Sequence, residues 1–290
     1  MSGRRLHALL SEHKLHLQRK LGQNFIVEDQ TADRLVQRSG VKSDECVIEV
    51  GTGLGMLTRA LARRAKFVIT LEIDSGLARV VREEGLLPDN VELIHADVVK
   101  QDLGELISRL KRERGGEVRF VANLPYSSAT PLLRRLLDHR QELLGWSVML
   151  QKEVADRLFA PIGSRDYGSL TVLHQLTAEL EGRSRVVANS FFPVPKVDSA
   201  FVCMRASDAS SLAADELEKV ERVVRAAFGK RRKTLQNALR GGGLGVEKAD
   251  LLASFERAGI DPRARAETIE PESFLALARE LSLEASHGSG

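Results

Sequence analysis

Between residues 46 and about 205 the chain alternates short apolar runs with segments of helical period. CVIEV (46–50) reads as a buried strand, and MLTRALARRA (56–65), reached through a glycine-rich turn, reads as a helix. KFVITLE (66–72) predicts the second strand. A helix follows it that Asp74 and Ser75 are suited to cap, because short polar side chains satisfy the first free amides of a helix. VELIHAD (91–97), VRFVANL (118–124) and GWSVML (145–150) predict three more strands, with helices at ELISRLKRER (105–114) and TPLLRRLLDH (130–139). Strands alternating with helices of about 10–15 residues predict an α/β fold with a parallel sheet wound on both faces. After ASDASSLAAD (206–215), a small-residue linker, everything has helical period: 214–228, 231–240, 247–258 and 271–281. Gly241-Gly242-Gly243 breaks this series. The expected organisation is an α/β domain over 1–206 and a smaller helical domain over 207–290.

Composition adds exclusions. Of 290 residues, 43% are hydrophobic and 29% charged, which sets aside collagenous, low-complexity and disordered classes. No apolar run approaches the roughly 18 residues needed to span a bilayer. The basic N-terminal stretch lacks an unbroken apolar core and a small-residue cleavage site, and Glu12 argues against a mitochondrial presequence. A cytoplasmic protein with no membrane contact is expected. Cys46 and Cys203 sit singly in apolar strand-like runs without a CxxC pair, so buried reduced thiols and no metal site are expected. Nothing in the chain calls for an obligate dimer, and a monomer is expected.

The net charge of +3 is less informative than its distribution. Residues 1–24 carry five Lys or Arg against Glu12, and residues 221–240 carry seven against Glu221, so the remainder is acidic. Two basic segments on an acidic body suit a polyanion. Lys230, Arg231, Arg232 and Lys233 are consecutive and would spread around a helix. They read better as a first turn or loop offering charge to phosphates, although such runs are also ordinary solvated faces.

The strongest local signal is strand, glycine turn, helix. Glu49-Val50-Gly51-Thr52-Gly53-Leu54-Gly55 lets the backbone approach a ligand where a Cβ would block it. Glu72 ends the second strand, where a carboxylate can grip a ribose diol. Met56 occupies the place of the third glycine of a dinucleotide fingerprint, which favours a nucleoside ligand without a pyrophosphate. Asp97, at the end of the third strand, can accept from an adenine amino group. Each carboxylate alone would pass for an ordinary strand terminus.

The fourth strand ends in Asn123-Leu124-Pro125-Tyr126. The Asn123 side-chain oxygen and the Leu124 carbonyl offer two acceptors to an exocyclic amine. Holding both N–H groups would favour a tetrahedral nitrogen whose lone pair faces an electrophilic methyl, so that proximity and preorganisation carry the rate. Pro125 would fix the turn, and Tyr126 would stack on the base. Taken alone, these residues fit a β-turn with a core tyrosine equally well. Phe191 and Phe192, in a proline-stiffened loop with Lys196, suit the second face of an aromatic sandwich, with one of the pair expected in the core.

Together these segments resemble the rRNA adenine N6,N6-dimethyltransferase family over nearly the full length. Arg19-Lys20-Leu21-Gly22-Gln23-Asn24-Phe25 is similar to its N-terminal signature. EVGTGLGMLT, LEID, HAD, NLPY, SVMLQKEVADRL, DYGSLTV, FFPVPKVDSAFV, FGKRRKTLQNAL and RAETIEPESFLALA follow in family order. The resemblance implies a Rossmann-like class I methyltransferase fold with S-adenosyl-L-methionine as donor. It implies that Asn24 and Ile26 close over the cofactor, and a cofactor set of Gly51, Gly53, Glu72, Ile73, Asp97, Val98 and Asn123. Arg19, Lys20, Lys196 and the 230–233 run are the expected RNA contacts. The implied substrate is a pair of adjacent adenosines in a hairpin loop near the 3′ end of small-subunit rRNA, each methylated twice. Ser169 and Gln236 depart from the family pattern away from the chemistry.

Rival readings separate on particular residues. The macrolide-resistance branch, acting on large-subunit rRNA, shares the QNF signature, but NLPY, FFPVPKVDSAFV and KRRKTLQNAL favour the small-subunit branch. A DNA adenine methyltransferase would carry proline in place of Leu124. An assembly factor that merely occupies the immature subunit would not need Glu72, Asp97 and Asn123 intact. A zinc deaminase would need H-x-E and P-C-x-x-C ligands, which are lacking.

Overall fold

The computed structural model describes residues 3–15, 23–124, 126–207, 212–230 and 232–283. The chain divides into two compact units, residues 1–155 with 180–206, and residues 156–179 with 207–290. The first unit begins with α1 (Gly3–Glu12), β1 (Phe25–Ile26), α2 (Asp29–Arg38), β2 (Cys46–Val50), α3 (Met56–Ala62), β3 (Phe67–Glu72), α4 (Ser75–Glu83) and β4 (Val91–His95). It continues through α5 (Leu103–Arg114), β5 (Val118–Ala122), α6 (Tyr126–Asp138) and β6 (Gly145–Gln151). Helix α7 (Lys152–Leu158) runs into the second unit, which holds α8 (Ser169–Thr177). The chain returns through β7 (Ala178–Val186), β8 (Phe191–Phe192) and β9 (Ser199–Ala206), then completes the second unit with α9 (Ala214–Phe228), α10 (Leu235–Arg240), α11 (Lys248–Arg257) and α12 (Pro271–Glu280).

The main sheet has the order β4-β3-β2-β5-β6-β9-β7. Strands β2 to β6 are parallel, as the alternating pattern requires, but β9 runs antiparallel to β6, from Trp146 opposite Met204 to Gln151 opposite Ser199. Pro193 and Pro195, which cannot donate to a ladder, lie in the stretch that separates β8 from β9.

Strand β2 is buried throughout, and its Val47 side packs with Val68, Val121, Met149 and Phe201 under Leu35 and Val36 of α2 and Leu57 and Leu61 of α3. A second cluster joins Leu6, Leu9 and Leu10 of α1 to Phe25, Leu54 and Leu77, Val80 and Val81 of α4. Helix α4 starts where Asp74 accepts from the amides of Gly76 (2.9 Å) and Leu77 (3.0 Å), the expected cap. Helix α5 is capped in the same way by Asp102 and ends in Lys111, Arg112 and Arg114, cations suited to the negative end of its dipole.

In the second unit Tyr167 is fully buried. Its hydroxyl donates to the Ile269 carbonyl at 2.7 Å, and its ring lies 6.0 Å from that of Phe228, itself 5.8 Å from Phe274. This packing draws residues 156–179 to the C-terminal helices, so the units exchange at 155, 179 and 206, where sequence patterning suggested one boundary after 206. Helix α10 starts at Leu235, later than expected. Lys230, Arg232 and Lys233 precede it, and the Lys233 amide donates to the Lys230 carbonyl at 2.9 Å.

Candidate functional site: a cleft at the carboxyl edge of the sheet

Four neighbouring strands, β4, β3, β2 and β5, end side by side, and the chain order reverses between β2 and β5. Open α/β sheets bind ligands in the crevice at that point. A cleft opens there. Gln23, Asn24, Gly51, Gly53, Glu72, Ile73, Asp97, Val98, Asn123 and Leu124 are among its lining residues.

Backbone conformation explains the glycines. Gly51 has φ +86°, and a Cβ there would stand 3.3 Å from the Asn123 carbonyl oxygen. Gly53 has φ +57°, and its Cβ would meet the Phe25 ring at 2.8 Å. Any side chain at either position is strained and narrows the cleft. Between them Thr52 Oγ1 shares a 2.7 Å hydrogen bond with Thr70 Oγ1 of β3.

Glu72, 4% exposed, accepts from the amides of Gly53 (2.8 Å) and Asp74 (2.9 Å), one on each oxygen. Burial pushes its carboxyl above the ordinary range, and the two amides oppose that rise. Asp97 caps the short 3₁₀ turn Val98–Lys100, its Oδ1 accepting from the Val99 amide at 2.9 Å. Ile73 is 46% exposed at the cleft, whereas Val98 is buried along its wall. Asn123 donates from Nδ2 to the Asn24 carbonyl at 2.8 Å, which fixes its amide and leaves Oδ1 as the acceptor end. Leu124 is 3% exposed.

Several expected residues lie elsewhere. Ile26 is in the core cluster and lines a smaller adjoining cavity instead of the main cleft. Phe191, expected beside the base, is a core residue, because β8 pairs antiparallel with β1 and sets Phe191 opposite Ile26. Phe192, opposite Phe25, is half-buried against the second cluster. Lys196, Lys230, Arg232 and Lys233 are exposed. Arg19, Lys20, Pro125 and Arg231 lie outside the described residues, as does the side chain of Tyr126, at which α6 begins. Gln23, quoted in the sequence only as part of the N-terminal signature and given no role there, lines the cleft and donates to Asp74 Oδ2 at 3.0 Å. Among the described residues no group of three or more His, Cys, Asp or Glu converges, and no helix is long and apolar enough to cross a membrane.

Sheet order and cleft define a class I methyltransferase. A dimethyladenosine transferase from Plasmodium falciparum superposes with TM-score 0.70 at 26% identity, over 86% of this chain and 94% of that one. The 23S rRNA methyltransferase ErmE gives 0.62 at 28% identity, over 89% and 99%. In sequence, the ribosomal RNA small subunit methyltransferase A of Geobacillus thermodenitrificans is 39% identical over 279 residues, covering 96% of this chain and 95% of the relative. The family model for ribosomal RNA adenine dimethylase matches residues 14–283, and the chain belongs to that family.

Proposed function

We propose that the protein transfers methyl groups from S-adenosyl-L-methionine to N6 of two adjacent adenosines near the 3′ end of small-subunit rRNA, twice on each. The observation that carries this is the fixed amide of Asn123 at the cleft edge, set by the Asn24 carbonyl 2.8 Å away. The cleft suits the donor on its own features. Gly51 and Gly53 leave open a cradle that a Cβ would fill, and each Glu72 oxygen holding one amide keeps a lone pair for a ribose hydroxyl. With Oδ1 accepting from the Val99 amide, the second Asp97 oxygen is the acceptor for the adenine amine in this reading, and Ile73 and Val98 supply apolar flanks. When bound, the donor supplies an electrophilic methyl on a sulfonium.

The remaining work falls to the chain. Asn123 Oδ1 and the Leu124 carbonyl take the two N–H groups of the target amine and orient its lone pair, and the proton leaves once the alkylated nitrogen has become acidic. Tyr126 and Phe192 are the aromatic pair for an extruded base, in place of Phe191. Arg19, Lys20, Lys196 and the turn from Lys230 to Lys233 meet RNA phosphates, with the helical unit as the RNA-contacting part. The protein works as a monomer in the cytoplasm, on the small subunit or its precursor.

The test is transfer of labelled methyl from S-adenosyl-L-methionine to unmethylated small subunits, with large subunits and duplex DNA in parallel. Label mapped to two adjacent dimethylated adenosines of the small subunit is expected. Label confined to the large subunit would move the protein to the ErmE-like reading. Tight subunit binding without label would make it an assembly factor.

A further inference from the structure

Asp97 stands just past the end of β4, which lies at the edge of the main sheet beside β3. Beyond the Ala96 amide, which donates to the Glu72 carbonyl at 2.9 Å, the chain enters the turn Val98–Lys100. The bonds inside this turn are local. Asp97 Oδ1 accepts from the Val99 amide at 2.9 Å, the Asp97 carbonyl from the Lys100 amide at 3.0 Å, and the Val98 carbonyl from the Gln101 amide at 3.2 Å. Such bonds set the shape of the turn but not its place against the sheet edge. Arg135, in the last turn of α6, ties it to another element: its two terminal nitrogens donate to the Val98 and Gln101 carbonyls, each at 2.6 Å. A guanidinium is a rigid planar fork, so two such bonds fix both the distance and the tilt of the turn. Helix α6 begins at Tyr126, so one element joins the acceptor end of β5 to the turn beside Asp97.

We propose that Arg135 is a positioning residue that decides which base the cleft accepts, by holding Asp97 and Val98 in register with the rest of the site. The proposal rests on the reading of the cleft as the methyl-donor site, with Asp97 facing the adenine amine. A carboxylate oxygen accepts from an amine, whereas an oxo group in the amine's place sets two acceptors against each other. That contrast discriminates only while the carboxylate is held still. A turn free to shift lets Asp97 swing away and admit either base. Arg135 is not among the described residues that line the cleft, so it acts through the backbone of the turn and not on the base itself.

The test uses the full chain and two calorimetric probes, S-adenosylhomocysteine and S-inosylhomocysteine, which differ only in the base, adenine against hypoxanthine. The ratio of their dissociation constants, taken on one preparation, cancels general losses of affinity. Wild type is expected to favour the adenine probe by at least about tenfold, the yield of a hydrogen bond to a charged acceptor. Arg135→Met should bring the ratio to within about threefold of one. Arg135→Lys, a point charge without the fork, should fall between. Asp97→Ala should abolish the preference by itself, and adding Arg135→Met to it should change the ratio no further, because both act on one contact. A wild-type ratio in Arg135→Met, with both probes weakened alike, would reduce Arg135 to a structural prop and overturn the proposal. Should Arg135→Met fail to fold, Arg135→Lys decides, and an unaltered ratio there overturns it. A wild type that binds both probes equally well would overturn the adenine role of Asp97 and the proposal with it. A wild type that binds neither would overturn the donor reading and, through it, the proposal.

Discussion

The cleft and the basic turn between α9 and α10 use polar groups in opposite ways. Around the cleft, Glu72, Asp97 and Asn123 are each tied to a backbone partner before any ligand arrives. In the turn, Lys230, Arg232 and Lys233 stand exposed within four positions of one another. The first arrangement selects shape, since a fixed acceptor rewards one donor geometry. The second rewards charge density and tolerates many geometries. Chemistry on one nitrogen needs the former, and holding a large polyanion needs the latter.

The contrast can be broken in order of effect. Asn123→Ala is expected to cut methyl transfer about 10²–10³-fold, the usual cost of losing one preorganised group, with donor affinity changing less than about tenfold. Normal turnover in a single-turnover assay would remove the fixed acceptor from the chemistry. Glu72→Ala should weaken donor binding about 10–100-fold, because a charged acceptor is lost, and unchanged calorimetric affinity would deny its ribose role. Neutralising Lys230, Arg231, Arg232 and Lys233 together should lower RNA affinity and reduce the slope of log affinity against log salt by up to about 3. An unaltered slope would return the run to an ordinary solvated surface. Tyr167→Phe sharpens the comparison from the other side. It strands the Ile269 carbonyl and should cost the helical unit about 1–2 kcal/mol in denaturant melts, with transfer per folded molecule unchanged.

The cleft was legible because its requirements are local. Glycines at positive φ, a cap at Asp74 and carboxylates at strand ends are each decided within a few residues, and the parallel core of the sheet follows from short alternating elements. What escaped depends on distant partners. Nothing in DYGSLTV announces that Tyr167 belongs under Phe228, and nothing in FFPV says which phenylalanine the core will take, since that is decided by pairing with Phe25 and Ile26. Glu49 was quoted only as the start of the glycine turn, and its burial and the Thr58 hydroxyl on it emerge only when α3 folds back over β2.

The two-residue ladder between β1 and β8 sets a timetable for the site. It joins a segment before the first long strand to one just before the last, so its loop-closure cost falls due only when nearly all of the first unit is in place. Phe25, beside Asn24 and over Gly53, is thereby installed late, and a nascent chain that already has its glycine loop still lacks one wall of the cleft. By the same logic this ladder is among the first to open in the native state, so hydrogen exchange at Phe25 and Ile26 should outpace that of β2. The wall of the cleft that Phe25 supplies thus hangs on a two-residue ladder, whereas the strand ends beneath it belong to the seven-stranded sheet.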